Sequence, residues 1–194
     1  MTKKDKAKIL SEAEFEQLLV AAKIGSSSIR NVALVYCSFG LGLRVKEIAS
    51  LTIKDVANSQ YRLRDEICLK RSITVGKKQH HVYLTNKKVY SALTDHLKNM
   101  EGVGLNKPLF QTQRKKEFTP CTLQKWFRSL YDKAGIYGAS SHSGRRTFIT
   151  RLIEQGVNIK SVSHLAGHAS TITTSIYIEN KPDCLKELAK LAVF

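Results

Sequence analysis

The sequence predicts a mainly helical α+β domain with a small antiparallel sheet. Three observations predict it. Apolar residues recur at three- and four-residue spacing through most of the chain, the stretch from about 61 to 84 changes to short β-prone runs, and helical spacing then returns and continues to the C-terminus. A length of 194 residues suits one domain able to bury a proper core, and the expectation is a single domain over residues 1–194.

The first helix is expected at Ser11-Glu12-Ala13-Glu14, a capping box in which Ser11 and Glu14 satisfy each other's backbone N–H groups, with Leu10 and Phe15 placed as a hydrophobic staple. Phe15, Leu18, Leu19 and Ala22 then share one face. After the turn signal GSSS at 25–28, Val32, Val35, Tyr36 and Phe39 mark a second helix, which the glycines at 40 and 42 interrupt. A third, short helix is expected from about Val45, carrying Glu47, Ile48 and Leu51, with Arg44 at its N-terminus. The runs Ile67-Cys68-Leu69, Ile73-Thr74-Val75 and Val82-Tyr83-Leu84, separated by basic turn residues, read as an antiparallel sheet.

Helical spacing resumes with Val89, Leu93 and Leu97, and again after the Thr119-Pro120 start signal with Leu123, Trp126, Phe127 and Leu130. Phe148, Leu152 and Ile153 give a helix closed by Gly156, and Ile159 and Val162 a further one. Leu185, Leu188, Ala189 and Ala192 mark a terminal helix. There is no internal repeat and no low-complexity segment.

Thirty-two Lys and Arg against sixteen Asp and Glu leave a formal charge of +16. An excess of this size points to a polyanionic partner, because each phosphate neutralised releases condensed counterions. Charge alone does not separate DNA from RNA or an anionic lipid surface. No apolar run approaches the roughly 18 residues needed to cross a bilayer, and the N-terminal MTKKDKAK lacks the apolar core of a secretory signal. The cysteines at 37, 68, 121 and 184 form no CxxC pair or compact framework, which fits reduced thiols and a cytoplasmic location.

Residues 141–177 concentrate groups that handle phosphate: His142, Arg145, Arg146, His164, His168 and Tyr177, interleaved with Ser and Thr. His142 and Arg145, three apart, share a face on a helical turn and can present an imidazole and a guanidinium to one phosphate; a solvated surface pair explains them equally well. His164 and His168 have the spacing of two zinc ligands on a helix. The intervening Leu-Ala-Gly supplies no HExxH glutamate, however, and Gly167 interrupts a helix before His168, so no metal is expected. Tyr177 taken alone reads as a helix aromatic packed in the core.

The segment LAGHASTITTSIY at 165–177 resembles the signature of the tyrosine recombinase (phage integrase) family, in which a Leu-Gly-His box precedes Thr-Thr and then tyrosine. GLRVKEIASL at 42–51 resembles the family's first arginine box and HSGRR at 142–146 its His-x-x-Arg box, in the right order and at the right separation. The likeness runs from about Leu10 to Tyr177 and is expected to continue to the C-terminus, which is nearly the whole chain.

The resemblance implies that Arg44 and Arg145 bind the non-bridging oxygens of a scissile DNA phosphate, a role suited to guanidinium forks that keep their proton. It implies that His142 and His168 add hydrogen bonds or move protons. It further implies that Tyr177 attacks phosphorus to form a 3′-phosphotyrosyl link, conserving bond energy so that neither ATP nor a metal or other cofactor is needed. Glu47, three residues after Arg44, matches an acidic position of the family box and would orient that arginine; a salt bridge on a short helix explains it equally. The family's general-acid lysine sits on a β-hairpin, here TVGKKQHHVYL. Ungapped alignment on Val82-Tyr83-Leu84 puts Val75 at the lysine position, a departure from the pattern. Lys77 lies two residues later on the same strand face and is the expected donor, with Lys78 behind it.

The implied architecture is the tyrosine recombinase catalytic-domain fold, with a three-stranded sheet whose basic hairpin reaches double-stranded DNA. The expectation is the catalytic domain alone, without an N-terminal core-binding domain. The implied assembly is a homotetramer on DNA, in which residues 183–194 dock on a neighbouring subunit or pack on their own domain. Two other readings stand beside recombination: a type IB topoisomerase-like enzyme using the same phosphotyrosine route, and a DNA-binding regulator with a decayed active site.

Overall fold

The computed structural model describes residues 7–70 and 79–177. Helix α1 (Glu12–Ala22) starts as its capping box requires: Ser11 Oγ accepts from the Glu14 N–H at 3.2 Å, and Glu14 Oε2 accepts from the Ser11 N–H at 3.0 Å. Its Phe15 ring lies 5.1 Å from that of Phe39 and 6.0 Å from that of Tyr36, fastening it to α2 (Ser28–Phe39). Helix α2 is the centre of the domain. The 32/35/36/39 face covers only part of what it buries, because Ala33, Leu34, Cys37 and Ser38 are buried as well. They are covered because α1, α3 (Val45–Ser50), α5 (Lys87–Lys98) and α7 (Ser143–Glu154) all pack around it.

Helix α3 begins at Arg44, as the sequence predicts, and is followed by a four-residue helix α4 (Ile53–Val56), capped by Asp55 accepting from the Thr52 N–H at 2.8 Å. The sequence reading contains no α4, since one helical turn is too short to show a period. Strands β1 (Glu66–Leu69) and β2 (His80–Tyr83) pair antiparallel with Ile67 opposite Val82 and Leu69 opposite His80. These four residues form the buried face; Glu66, Cys68, His81 and Tyr83 face outward. The expected strand at 73–75, Lys77, Lys78, the terminal helix at 185–192 and the docking segment at 183–194 lie outside the described residues.

Helix α6 (Pro120–Lys133) starts at Thr119, whose Oγ1 accepts from the Thr122 N–H at 3.1 Å, with Pro120 in the first turn where a missing N–H costs nothing. The main core runs through α1 to α6 and the sheet. A second cluster, Ile149, Ile153, Val162 and Ala166, joins α7 to α8 (Ile159–Leu165), and Phe148, Leu152, Val157 and Tyr177 pack against it. Helix α8 ends before Gly167, which takes a φ of +59° and turns the chain toward His168 and the single-turn helix α9 (Ile172–Ser175). The architecture is thus mainly helical with a small antiparallel sheet, and no helix among the described residues is long and apolar enough to cross a membrane.

Candidate active site

Three conformational facts place the first arginine box against the second. Gly42 has a φ of +64°, and a Cβ there would stand 2.4 Å from the Phe148 ring of α7. Only glycine allows the loop between α2 and α3 to lie this close to α7. The Gly42 carbonyl, so placed, accepts from Arg145 Nη1 at 2.8 Å, and Arg145 Nη2 donates to the Ala166 carbonyl. One buried guanidinium therefore ties the α2–α3 loop, α7 and the end of α8 together. Among the described residues, two of its five N–H donors are spent on these anchors, and the remaining three can face a ligand.

Arg44 sits at the N-cap of α3. The buried Glu47 carboxylate takes both its backbone N–H, at 2.7 Å, and its Nη1, at 2.8 Å. Glu47 also acts on Arg145. Burial pulls that guanidinium down to about 10, Arg44 pushes the same way, and Glu47 and Tyr177 oppose them. Arg145 thus keeps its proton at neutral pH, and a single carboxylate partly offsets two adjacent cations. Such a pair of cations, met by one carboxylate among the described residues and partly desolvated, is suited to an anion.

His168 follows the Gly167 turn, with its Nδ1 2.7 Å from the hydroxyl of the buried Thr174. Burial first, then Arg145, Arg44 and His80, pull it down to about 4, so the imidazole is neutral at pH 7. Among the described residues only Nδ1 is engaged, which leaves Nε2 to face a ligand. Tyr177 is half-buried on the second cluster, its backbone N–H donating to the Thr174 carbonyl at 3.1 Å. The Arg146 guanidinium lies 5.8 Å from the centre of its ring, and Arg146 Nη1 in turn donates to the Ala7 carbonyl.

The structure therefore brings Arg44, Glu47, Arg145 and His168 together, with Tyr177 close enough to act electrostatically on Arg145. His142 stands apart. It caps α7 on the exposed rim, where its backbone N–H donates to Ser140 Oγ at 3.2 Å, and no described contact joins its ring to the arginines. His164 is exposed while His168 turns inward, so the pair with zinc-like spacing does not share a face.

Sequence reasoning missed His80, and it noted Arg146 only as a phosphate-handling group and Thr174 only as part of the Thr-Thr of the box, with no role for either. His80 is 8% exposed on β2, its Nε2 3.1 Å from the Leu165 carbonyl, and its imidazole is felt by His168. A signal for it was present: counting back by twos from the inward Leu84 and Val82 reaches His80. The part played by Arg146 carried no comparable signal, since it depends on contacts with Ala7 and Tyr177 far away in sequence, and that of Thr174 depends on the turn at Gly167 bringing His168 back to it.

Residues 8–183 match the model of the phage integrase family. The tyrosine recombinase XerD of Yersinia pestis is 30% identical over 189 residues, which cover 93% of this chain and 60% of that protein. XerD of Bifidobacterium longum is 28% identical over 193 residues, covering 92% and 60%. The chain thus spans about 60% of the length of these relatives. A crystal structure of a XerA recombinase superposes with a TM-score of 0.76 at 31% identity, covering 98% of this chain and 66% of that one. A XerH site-specific recombinase bound to its difH substrate in a pre-cleavage complex gives 0.71 at 26% identity, covering 97% and 55%. With the family model spanning nearly all of it and the fold that of the recombinase catalytic domains, the chain belongs to the phage integrase family of tyrosine recombinases.

Proposed function

We propose that residues 1–194 act as the catalytic domain of a site-specific DNA recombinase, which cleaves and rejoins DNA strands through a 3′-phosphotyrosyl intermediate at Tyr177. The observation that carries this reading is the pair of guanidiniums: Arg44 and Arg145 are held in neighbouring positions through Glu47 and Gly42, beside a neutral His168 and within electrostatic reach of Tyr177.

In this reading the two arginines bind the non-bridging oxygens of the scissile phosphate, where negative charge concentrates in the transition state. Tyr177 Oη gives up its proton to a neighbouring base or water as it attacks phosphorus, the phosphorus–oxygen bond to the 5′ side breaks, and the departing oxygen takes a proton. Lys77, with Lys78 behind it, is the proposed donor of that proton. His168, its Nδ1 engaged by Thr174, offers Nε2 to the phosphoryl group, and His142 approaches from the rim of α7 once DNA is bound. Reversal by a free 5′ hydroxyl of another strand restores a phosphodiester without ATP, and the charge neutralisation assigned to the arginines asks for no metal. The partner is double-stranded DNA, engaged by a homotetramer in a cytoplasmic setting, and the charge of +16 supports an electrostatic share of the affinity.

Incubation with nicked suicide DNA tests the reading. The expected result is a protein–DNA adduct that survives denaturant and EDTA and is lost in Tyr177→Phe. Retention that is only reversible and salt-sensitive would replace catalysis with simple DNA binding.

A further inference from the structure

His80 occupies a place that a strand residue facing a core normally gives to an aliphatic side chain: its register partner is Leu69, and Val82 follows it on the same face. A carbonyl can only accept, so the 3.1 Å contact with Leu165 requires the proton on Nε2. The other face of the ring lies against Gly167, where a Cβ would stand 2.6 Å from His80 Nδ1 and 2.8 Å from Cε1. The imidazole is therefore wedged into the turn 165–167, hydrogen-bonded at its first residue and in close apposition at its last. Arg145 holds the middle residue of the same turn through the Ala166 carbonyl. Three consecutive residues ahead of His168 are thus fixed from two sides, by α7 and by β2.

We propose that His80 is a positioning residue for His168. Its ring fixes the height and direction of the 165–167 turn, so that His168 meets the Thr174 hydroxyl and presents Nε2 beside Arg44 and Arg145. Without it, the turn would keep its own backbone hydrogen bonds and the burial of Ala166, but the side-chain hold on it would reduce to Arg145 at a single carbonyl, and Gly167 would face a gap into which the chain can relax. The arrangement also makes strand β2 and the His168 turn one mechanical unit, so a displacement of the sheet edge is transmitted to the imidazole at the site. His80 does not touch the reacting phosphate in this account. It acts through His168, and the catalytic part of the inference rests on the recombinase reading above.

The test compares the full chain carrying His80→Leu or His80→Gln with the unmodified protein. Glutamine keeps an N–H donor at about the reach of Nε2, whereas leucine fills the space and donates nothing. At saturating nicked duplex DNA, His80→Leu should slow adduct formation about 10- to 100-fold, the scale on which misplacing a catalytic group by about an ångström acts. Its affinity for intact duplex should be unchanged, and His80→Gln should recover most of the rate. Imidazole nitrogen spectra of the free protein supply a readout independent of activity: His80 should be the Nε2–H tautomer, and the His168 Nδ1 resonance should move in His80→Leu and return in His80→Gln. A His80→Leu protein that cleaves at the unmodified rate, or one slowed only through weaker DNA binding, overturns the proposal. If the leucine variant does not fold, His80→Gln and the tautomer in the unmodified protein still decide it. An unmodified protein that forms no adduct sinks the recombinase reading instead, while the spectra continue to report on the positioning role.

Discussion

Glu47 holds Arg44 with both carboxylate oxygens, Oε2 taking the backbone N–H at 2.7 Å and Oε1 the guanidinium Nη1 at 2.8 Å. The first contact fixes where α3 begins and the second fixes where the arginine points, so cap and site orientation are one interaction. Glu47→Gln keeps an acceptor for one of these donors and removes the charge felt by both Arg44 and Arg145. Removing one member of a buried ion pair costs about 3–5 kcal/mol; here Arg44 keeps some access to solvent, and a loss of about 1–3 kcal/mol is expected. Urea denaturation reads this directly. Adduct formation should fall further than stability explains, because Arg44 loses its bearing.

Arg145→Lys makes a sharper case. A single ammonium cannot donate to Gly42 and Ala166 on opposite sides and still present a fork to a phosphate. The variant should fold, bind DNA with nearly the unmodified salt dependence, and lose adduct formation by about 100-fold or more, in line with removal of a transition-state donor. A variant that retains near-normal cleavage would show that Arg145 is structural.

What was legible in the sequence was local or periodic. The Ser11–Glu14 capping box, the Thr119-Pro120 start and the Gly167 break each declare themselves within a few residues, and the structure has them where the pattern puts them. The burial of α2 on nearly every side was not legible, because periodicity reports one apolar face and says nothing of how many neighbours a helix will have. The same limit applies to the site. Arg44, Arg145, His168 and Tyr177 were found through boxes of contiguous residues, whereas the anchors that orient Arg145 are backbone carbonyls, which no side-chain pattern records. His80 lay on a strand whose alternation was visible but whose proximity to Gly167 was not.

Gly42 supplies a test of the scaffold that leaves every charged group in place. Gly42→Ala forces a non-glycine residue to a φ of +64° and drives its Cβ into Phe148, so either the α2–α3 loop or α7 must shift. Strain and overpacking together should destabilise the protein by about 2–4 kcal/mol. Because the Gly42 carbonyl is also an anchor of Arg145, cleavage should suffer even at temperatures where the variant is folded. Thermal denaturation beside adduct assays separates the two effects. Full activity in a stably folded Gly42→Ala would mean that the close approach of loop and helix is dispensable.

Three imidazoles, the buried His80 and His96 and the half-buried His168, make stability fall toward acid pH. His96 is stacked on Phe110, with Nε2 2.8 Å from the Leu109 carbonyl. Burial first lowers it below 6.5, Arg30 acting in the same direction and the Leu109 carbonyl opposing. His80 is lowered by burial, Arg145 adding to the effect and Glu47 and the Leu165 and His164 carbonyls opposing it; His168 falls to about 4. In each case the unfolded chain binds the proton more readily, so stability rises with pH through the interval between the folded and unfolded values. The contribution is therefore complete above about 6.5 and is lost as pH falls below it, down to about 4 for His168. Urea midpoints should decline from pH 7 to 5, and His96→Gln, which keeps a donor for Leu109 but cannot titrate, should decline less. Bound DNA reverses the sign at His168: a phosphate beside it favours the charged imidazole, so its titration should move upward in the complex while that of His96, enclosed between Phe110 and the Leu109 carbonyl, stays put. Imidazole titrations followed with and without duplex DNA distinguish the two, and parallel movement of both would mean that DNA acts through a general change in the fold rather than at the site.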